Sequence, residues 1–203
     1  YKQHSGLNYP QLLKSIFTLF CGSPLLRTRA VLGALSFANF SVLWTSMAFL
    51  LAAPPFGYSE GVIGLFGLVG AAGALAASRA GHLADQGKAG LTTTVGLVLL
   101  LLSWIAIAFA KQSLWALIVG ILILDLAVQA VHVTNQSVIY RIMPEARNRL
   151  TAGYMTSYFI GGALGSLLSA SAYQHAGWTG VAAAGGILCL FNLLTWWLGK
   201  RHD

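Results

Sequence analysis

The sequence has very little charge. Only 8% of its 203 residues are Asp, Glu, Lys or Arg, whereas 57% are hydrophobic. A soluble globular domain usually carries about 25% charged residues, so water is excluded as the solvent for most of this surface. The hydrophobic residues also form runs of roughly twenty, the length that an α-helix needs to cross a bilayer. The composition therefore predicts an all-α membrane protein.

The sequence also lacks several patterns that mark enzyme and cofactor sites. It contains no Walker A loop, no HExxH and no Cys/His cluster with the spacing of metal ligands. Its two cysteines, Cys21 and Cys189, are far apart and are expected to be free thiols. We therefore expect no enzymatic activity, no cofactor and no bound metal.

Six apolar runs follow a polar leader and predict six transmembrane helices. They cover residues 30–51, 61–78, 91–110, 114–140, 151–173 and 178–198. Short polar connectors separate the runs, so neighbouring helices have to be antiparallel. The runs divide the chain into a cytoplasmic leader or inter-half linker (1–29), a six-helix transmembrane bundle (30–199) and a cytoplasmic tail (200–203).

The net charge of +7 reflects the placement of the basic residues rather than a nucleic-acid surface. Lys111 lies alone on one side of the predicted membrane. The other eleven Lys and Arg residues lie on the opposite side: Lys2, Lys14, Arg27, Arg29, Arg79, Lys88, Arg141, Arg147, Arg149, Lys200 and Arg201. Because cytoplasmic loops retain Lys and Arg, this asymmetry predicts a multi-pass protein of the inner (plasma) membrane with both termini in the cytoplasm.

Aromatic residues near the ends of the runs agree with this orientation, because Trp and Tyr favour membrane interfaces. Those predicted at the outer interface are Tyr58, Trp115, Tyr173 and Trp178. Those predicted at the inner interface are Tyr140, Tyr154, Trp196 and Trp197.

The leader has an amphipathic segment. One helical face carries Leu12, Leu13, Ile16, Phe17 and Phe20. This pattern predicts a short helix on the membrane surface, and a disordered linker is the alternative. The chain begins with Tyr rather than Met and has no signal peptide at its start, so we expect a fragment or a processed product.

Small residues form rows in the second and fifth runs. The second run carries Gly61, Gly64, Gly67, Gly70 and Gly73, and the fifth carries Gly161, Gly162, Gly165, Ser166 and Ser169. Such rows allow close approach of membrane helices, so we expect tight packing at Gly67 as well as at Gly165. The two runs are the middle members of two three-helix sets, which is typical of inverted repeats. The alternative is that glycine is simply common in membrane helices.

The fourth run carries the most unusual side chains. Asp125 lies near the predicted midplane, and Gln129, His132 and Gln136 follow on the same helical face. A carboxylate at this depth has to be paired, hydrated or protonated, so it indicates a functional site. Either a role in proton coupling or substrate contact, or a structural hydrogen bond, would fit. In the first run, Asn39 and Trp44 are the candidates for a shared cavity.

Two connectors resemble those of a known family. Residues 81–88, GHLADQGK, are similar to the G-x-L-A-D-R-x-G-R loop of major facilitator transporters, with Gln86 in place of the Arg. Residues 141–150, RIMPEARNRL, followed by 154–166, resemble the junction between helices ten and eleven of bacterial drug and metabolite efflux members. The residues expected to control gating are Gly81, Asp85, Gly87, Lys88, Arg147 and Arg149.

The resemblance implies that the chain is the C-terminal half of a twelve-helix transporter, built as two inverted three-helix repeats. Its partners would then be an N-terminal six-helix half, the lipid bilayer, an unidentified small-molecule substrate and protons as coupling ion. The implied function is proton-coupled efflux by alternating access.

Two other functions compete with this hypothesis. The chain could be an inactive half-transporter without transport activity of its own. It could also be the membrane domain of an ATP-driven exporter, but no nucleotide-binding motif and no long cytoplasmic helical extension supports that alternative.

The asymmetry of basic residues makes a topology prediction. Reporters placed within residues 144–147 and after Asp203 should both indicate the cytoplasm, and a reporter within residues 111–113 should indicate the exterior. Paired alkaline phosphatase and fluorescent protein fusions measure this. A cytoplasmic signal from 111–113 would contradict both the number of helices and their orientation.

Overall fold

A computed structural model describes residue 6 and residues 8–202, and these form helices joined by turns. The α-helices are α1 (Tyr9–Gly22), α2 (Pro24–Ala52), α3 (Glu60–Ala76), α4 (Ser78–Leu83), α5 (Ala89–Ala108), α6 (Leu114–Ile142) and α7 (Arg147–Gly199). A π-helical turn (Ala84–Lys88) joins α4 to α5, and short 3-10 turns (Pro144–Ala146 and Lys200–His202) flank α7. The all-helical prediction is confirmed for this part of the chain.

Serine side chains cap the N-termini of three helices. Ser23 Oγ accepts a hydrogen bond from the Leu26 N–H at the start of α2, and Ser59 Oγ accepts one from the Val62 N–H at the start of α3. At the start of α6, Ser113 Oγ accepts a hydrogen bond from the Ala116 N–H. Each bond satisfies a backbone donor that has no partner within its own helix. Pro24 adds a preset φ angle at the first position of α2. The helix therefore starts six residues before the predicted run at Ala30.

Among the described residues, four helical stretches are long and apolar enough to cross a membrane: Pro24–Ala52, Glu60–Ala108, Leu114–Ile142 and Pro144–Gly199. The second and fourth contain 49 and 56 residues, whereas one crossing takes about 20 residues. Each of these two contains a glycine in the left-handed region, Gly87 (φ 84°) and Gly177 (φ 61°). Only glycine adopts this conformation without strain, so these are the points where the chain can turn.

Side-chain pairings give the relative directions of the helices. Along α2 and the first arm of α7 (147–176), Ala34 meets Gly161 and Ala38 meets Gly165, so the two helices are parallel. Along α2 and the second arm (178–199), Thr28 meets Gly199. Asn192 donates a hydrogen bond to Ser36 along the same pair of helices. Residue numbers therefore rise along α2 as they fall along the second arm, so these two helices are antiparallel. The chain therefore reverses direction at Gly177.

The same reasoning applies at Gly87. Helix α5 is antiparallel to α6, because Thr92 pairs with Thr134 and Ile107 lies against Gly120. Segments α3 and α4 lie parallel to α6, with Gly70 beside Asp125 and Gly81 beside Val133. The two helices on either side of the π-helical turn thus run in opposite directions.

The basic residues lie at one end of this bundle. Every described Lys and Arg except Lys111 lies at the same end of the bundle. This end contains the start of α2, the π-helical turn, and both the start and the end of α7. Lys2 and Asp203, which belong to the predicted leader and tail, lie outside the described residues. The predicted segregation of charge therefore holds for the described residues.

The aromatic prediction was wrong for three residues. Tyr154, Trp178 and Trp196 are 1%, 1% and 4% exposed and lie inside the bundle. The indole N–H groups of the two tryptophans donate to Ile107 O and Thr94 Oγ1. Their position along the helix was compatible with an interface, but they point toward protein rather than lipid.

The glycine row of α7 packs as expected. A Cβ on Gly161 or Gly165 would meet the backbone of Ala34 or Ala38 in α2. The row of α3 packs only at its last two glycines, of which Gly73 meets the backbone of Leu122. A spacing of three residues turns about 60° short of a full circle at each step, so five glycines cannot share one face.

Gly67 is therefore a correction to the sequence prediction. No atom lies within 4 Å of where its Cβ would stand. Its neighbour in the row, Gly70, does approach Asp125 and Trp44.

Gly165→Leu should destabilise the folded chain by about 1–3 kcal/mol, because the new side chain would push α7 away from α2. Gly67→Leu is the matched control and should change stability by less than about 0.5 kcal/mol. Thermal unfolding in detergent measures both. Equal losses for the two variants would show that close α2–α7 packing is not what the glycine provides.

Candidate functional site

The polar stripe predicted for the fourth run lies on α6. Asp125 is 6% exposed, and Gln129, His132 and Gln136 are half-buried along the same helix. The side chains of Gln129 and Gln136 make no hydrogen bond within the described part of the chain. Their amides are therefore available to water or to a ligand.

Asp125 meets the candidate Trp44 of α2. The Trp44 indole Nε1 donates to Asp125 Oδ1 at 3.2 Å, and Gly70 of α3 lies against the other carboxylate oxygen. No Lys or Arg pairs with this carboxylate among the described residues. Three helices therefore enclose a carboxyl group that has one hydrogen-bond donor and no counter-ion among the described residues, a combination that marks a functional site.

A second polar cluster lies nearer the basic end. His132 Nδ1 is 3.1 Å from the Tyr154 hydroxyl, which also accepts a hydrogen bond from Asn135 Nδ2 at 3.2 Å. The Tyr158 ring lies 4.6 Å from His132 and stacks on Phe37 at 4.2 Å. Aromatic side chains from α2 and α7 thus form a stack beside His132.

Arg29 is a buried residue that the sequence analysis placed in the leader. It is 1% exposed, and its guanidinium donates to Thr93 Oγ1 at 2.7 Å and to Asn135 Oδ1 at 3.2 Å. It also lies 4.8 Å from the Trp196 ring centroid. The signal that could have revealed it is the Ser-Pro start at residues 23–24, which puts Arg29 inside the second turn of the helix.

Asn39, the other candidate of the first run, lies elsewhere. Its Nδ2 donates to Leu35 O, and its Oδ1 accepts from Trp104 Nε1 at 2.9 Å and from the Cys189 thiol at 3.3 Å. These contacts join α2 to α5 and to the second arm of α7, away from Asp125. Cys189 and the exposed Cys21 are free thiols, as expected.

The predicted gating loop borders an open cavity of about 370 Å³ at the basic end. Asp85 accepts hydrogen bonds from the Ser137 hydroxyl and from Arg141 at 3.4 Å. Arg141 also donates to Ala84 O. Arg141 was not among the predicted gating residues. We call Asp85, Ser137 and Arg141 the loop contact.

The other loop candidates divide between two places. Gly81 and Arg147 line the same cavity, together with Gln136 of the stripe, and Arg147 stacks on Tyr140 at 4.3 Å. Gly87 provides the turn, and Lys88 precedes α5. Arg149 lies away from this cavity and donates to Ser15 of α1.

One further sequence pattern matches the spacing of an enzyme motif. Residues 57–61, GYSEG, match the G-x-S-x-G spacing of a hydrolase nucleophile. That motif requires a strand before the serine and a helix after it, but no strand occurs in residues 8–202. Ser59 is the N-cap of α3, and its hydroxyl oxygen accepts a backbone hydrogen bond there. The serine in this pattern therefore acts as a helix cap.

A bundle of apolar helices with a carboxyl group enclosed near its middle and a charged contact at one end is typical of a membrane transport protein. The sequence profile of the Major Facilitator Superfamily matches residues 29–203. The chain belongs to this superfamily of transporters, and it is not an enzyme.

Two relatives agree with this assignment. The chain is 70% identical over 202 residues to Uncharacterized transporter YgaY of Escherichia coli O157:H7, covering 100% of the chain and 51% of the relative. It is 34% identical over 165 residues to Probable transporter SCO4007 of Streptomyces coelicolor, covering 81% of the chain and 38% of the relative. No solved structure gives a significant match. The chain thus spans about half the length of the Escherichia coli relative.

Replacing Arg29 should cost more stability than replacing a nearby surface arginine. Arg29→Met removes the donor to buried Thr93 and Asn135, so we expect a loss of about 2–3 kcal/mol. Arg27→Met is the matched control, because Arg27 is exposed in the same helix, and it should cost less than about 0.5 kcal/mol. Thermal unfolding in detergent compares them. Equal losses would contradict the structural role of the Arg29 cluster.

Proposed function

We propose that the chain is one bundle of six transmembrane helices in a proton-coupled exporter. The reversals at Gly87 and Gly177 support a division of the two long helical stretches into two crossings each. The parallel and antiparallel pairings support alternating directions for all six. The end that carries the basic residues would face the cytoplasm, as retention of Lys and Arg there requires.

The enclosed carboxyl group of Asp125 is the observation that carries the proposed coupling. Its one hydrogen-bond donor within the described residues is neutral, so the protonated and the ionised form differ strongly in their stability inside the membrane. Proton release is then favourable only when water or a cationic group reaches the site. A group of this kind can link proton movement to a change in access.

Trp44 would control that access. Its indole lies between Asp125 and the aromatic residues of α2, and its ring centroid is 5.8 Å from that of Phe40. Movement of Trp44 would therefore expose the carboxyl group to the half-buried face that carries Gln129. We propose that substrate contacts this face.

The loop contact supports alternating access in the same bundle. The pair formed by Asp85 and Arg141 is exposed, with side chains that are 66% and 49% accessible. An exposed ion pair contributes at most about 1 kcal/mol, so it can open and close during transport without a large barrier. A second six-helix half would complete the substrate site, because rocking of two bundles around a central site needs both.

The test of coupling is Asp125→Asn in the chain joined to an N-terminal six-helix half. Asn keeps the size and can still accept the Trp44 hydrogen bond, but it cannot release a proton. Wild-type protein in vesicles should change its tracer accumulation by up to about tenfold per pH unit for each coupled proton. The variant should show no dependence on the pH gradient while folding normally.

The tracer is whichever compound of a drug-like and metabolite panel the wild-type protein moves. Glu145→Gln, which alters an exposed carboxylate outside the stripe, is the control and should keep the pH dependence. Wild-type pH dependence in Asp125→Asn would remove this residue from coupling. Lost yield with unaltered pH dependence would assign it a structural hydrogen bond instead. Transport by the 203-residue chain alone would contradict the need for two bundles.

A further inference from the structure

Helix α1 exposes a hydrophobic stripe on the basic end of the bundle. Tyr9, Leu13 and Phe17 are 73%, 50% and 72% exposed. Their spacing of four residues places them on one side of the helix. Nothing in the described part of the chain covers this stripe.

The bundle fixes the direction in which the stripe points. Ile16 and Phe20, which belong to the same hydrophobic face of the helix, pack against the backbone of α7 at Gly153. Arg149 of α7 donates to Ser15 Oγ of α1 at 3.3 Å. Helix α1 is therefore held in one orientation rather than left free to rotate.

The stripe lies at the depth of a membrane surface. Ser23 alone separates α1 from α2, and the apolar run of α2 begins six residues after Pro24. Six residues of helix span about 9 Å, slightly more than the roughly 5–8 Å of polar headgroup region on one side of a bilayer. Helix α1 therefore reaches the level of the headgroups.

The charge around the stripe has one sign. The first 59 residues contain no Asp or Glu. The Lys14 side chain is exposed on α1 and that of Arg27 is exposed beside its end, while the partly exposed Arg149 lies on the other flank. Exposed apolar side chains flanked by basic ones match a surface that is apolar inside and anionic at its boundary.

We infer that α1 is an in-plane membrane anchor whose stripe of Tyr9, Leu13 and Phe17 enters the lipid, and whose flanking basic side chains bind anionic phospholipid headgroups. A protein partner would have to bring both an apolar groove and several acidic groups to this position. A bilayer with anionic lipid supplies both at the depth where α1 already lies. This role is independent of any transport activity.

The first experiment measures depth in the full 203-residue chain. Spin labels are attached at Phe17→Cys, and separately at Thr18→Cys, in a Cys21→Ser background that keeps the buried Cys189. The chain is reconstituted into vesicles of phosphatidylglycerol and phosphatidylcholine. We expect oxygen, which concentrates in lipid, to relax the label at 17, and a water-soluble nickel complex to relax the label at 18.

Two outcomes would overturn the inference. Relaxation of the label at 17 by nickel would place the stripe in water. Protection of that label from both reagents would mean that protein covers the stripe, either a second copy of the chain or another segment.

The second experiment tests headgroup charge. Detergent-solubilised chain is titrated with phosphatidylglycerol or with phosphatidylcholine, and the rise in its unfolding temperature is followed. Lys14→Gln should need about fivefold more phosphatidylglycerol for half of the effect, since one basic side chain near an anionic surface contributes about 1 kcal/mol. Lys111→Gln, which alters an exposed lysine at the opposite end, should behave as wild type. Equal effects of the two lipids, or of the two variants, would rule out headgroup binding at α1.

Discussion

The absence of water in the hydrocarbon core is the constraint on which this structure depends. A buried polar side chain there has to find its partner within the protein. The indole groups of Trp104 and Trp178 donate to Asn39 and to the Ile107 carbonyl, and Asn192 donates to Ser36. Each bond joins two different helices. Such bonds contribute about 0.6 kcal/mol each on average, which is too little to drive folding alone. Their larger effect is to fix the register of helices whose apolar surfaces would otherwise slide against one another.

Helix α2 is the element that these contacts share. On one side its small residues let α7 approach, and on another its polar residues bond to α5 and to the second arm of α7. Through Arg29 it holds Asn135 of α6, and through Trp44 it holds Asp125 of the same helix. The proposed coupling site is therefore positioned by packing that begins elsewhere in α2. A disturbance of the α2–α7 interface would move Trp44 as well as the backbone.

Hydropathy could place the membrane segments, because a helix in lipid has to be apolar along its whole length. Hydropathy could not predict which side of each helix points to lipid and which points to protein, because residues on both sides are apolar. That is why Gly67 was expected to be packed but is open, and why Trp178 was expected at the lipid interface but is buried. The α6 stripe could be predicted because its polar residues do contrast with their surroundings. Arg29 was missed for a related reason, since a basic residue next to an apolar run was attributed to the leader instead of to the helix cap that precedes it.

Helix α6 connects the proposed coupling site to the loop contact. Asp125 and Arg141 are sixteen residues apart on this helix, which corresponds to about 24 Å. Between them the helix contains neither glycine nor proline, so it has no sequence-encoded hinge. A change in the contact between Trp44 and Asp125 that shifted α6 would therefore also shift Ser137 and Arg141 relative to Asp85. The weak, exposed loop contact would tolerate such a shift at its end of α6. The cluster around Arg29 holds the same helix at Asn135, between Asp125 and Arg141. That arrangement favours tilting of α6 about Asn135 over bending within it.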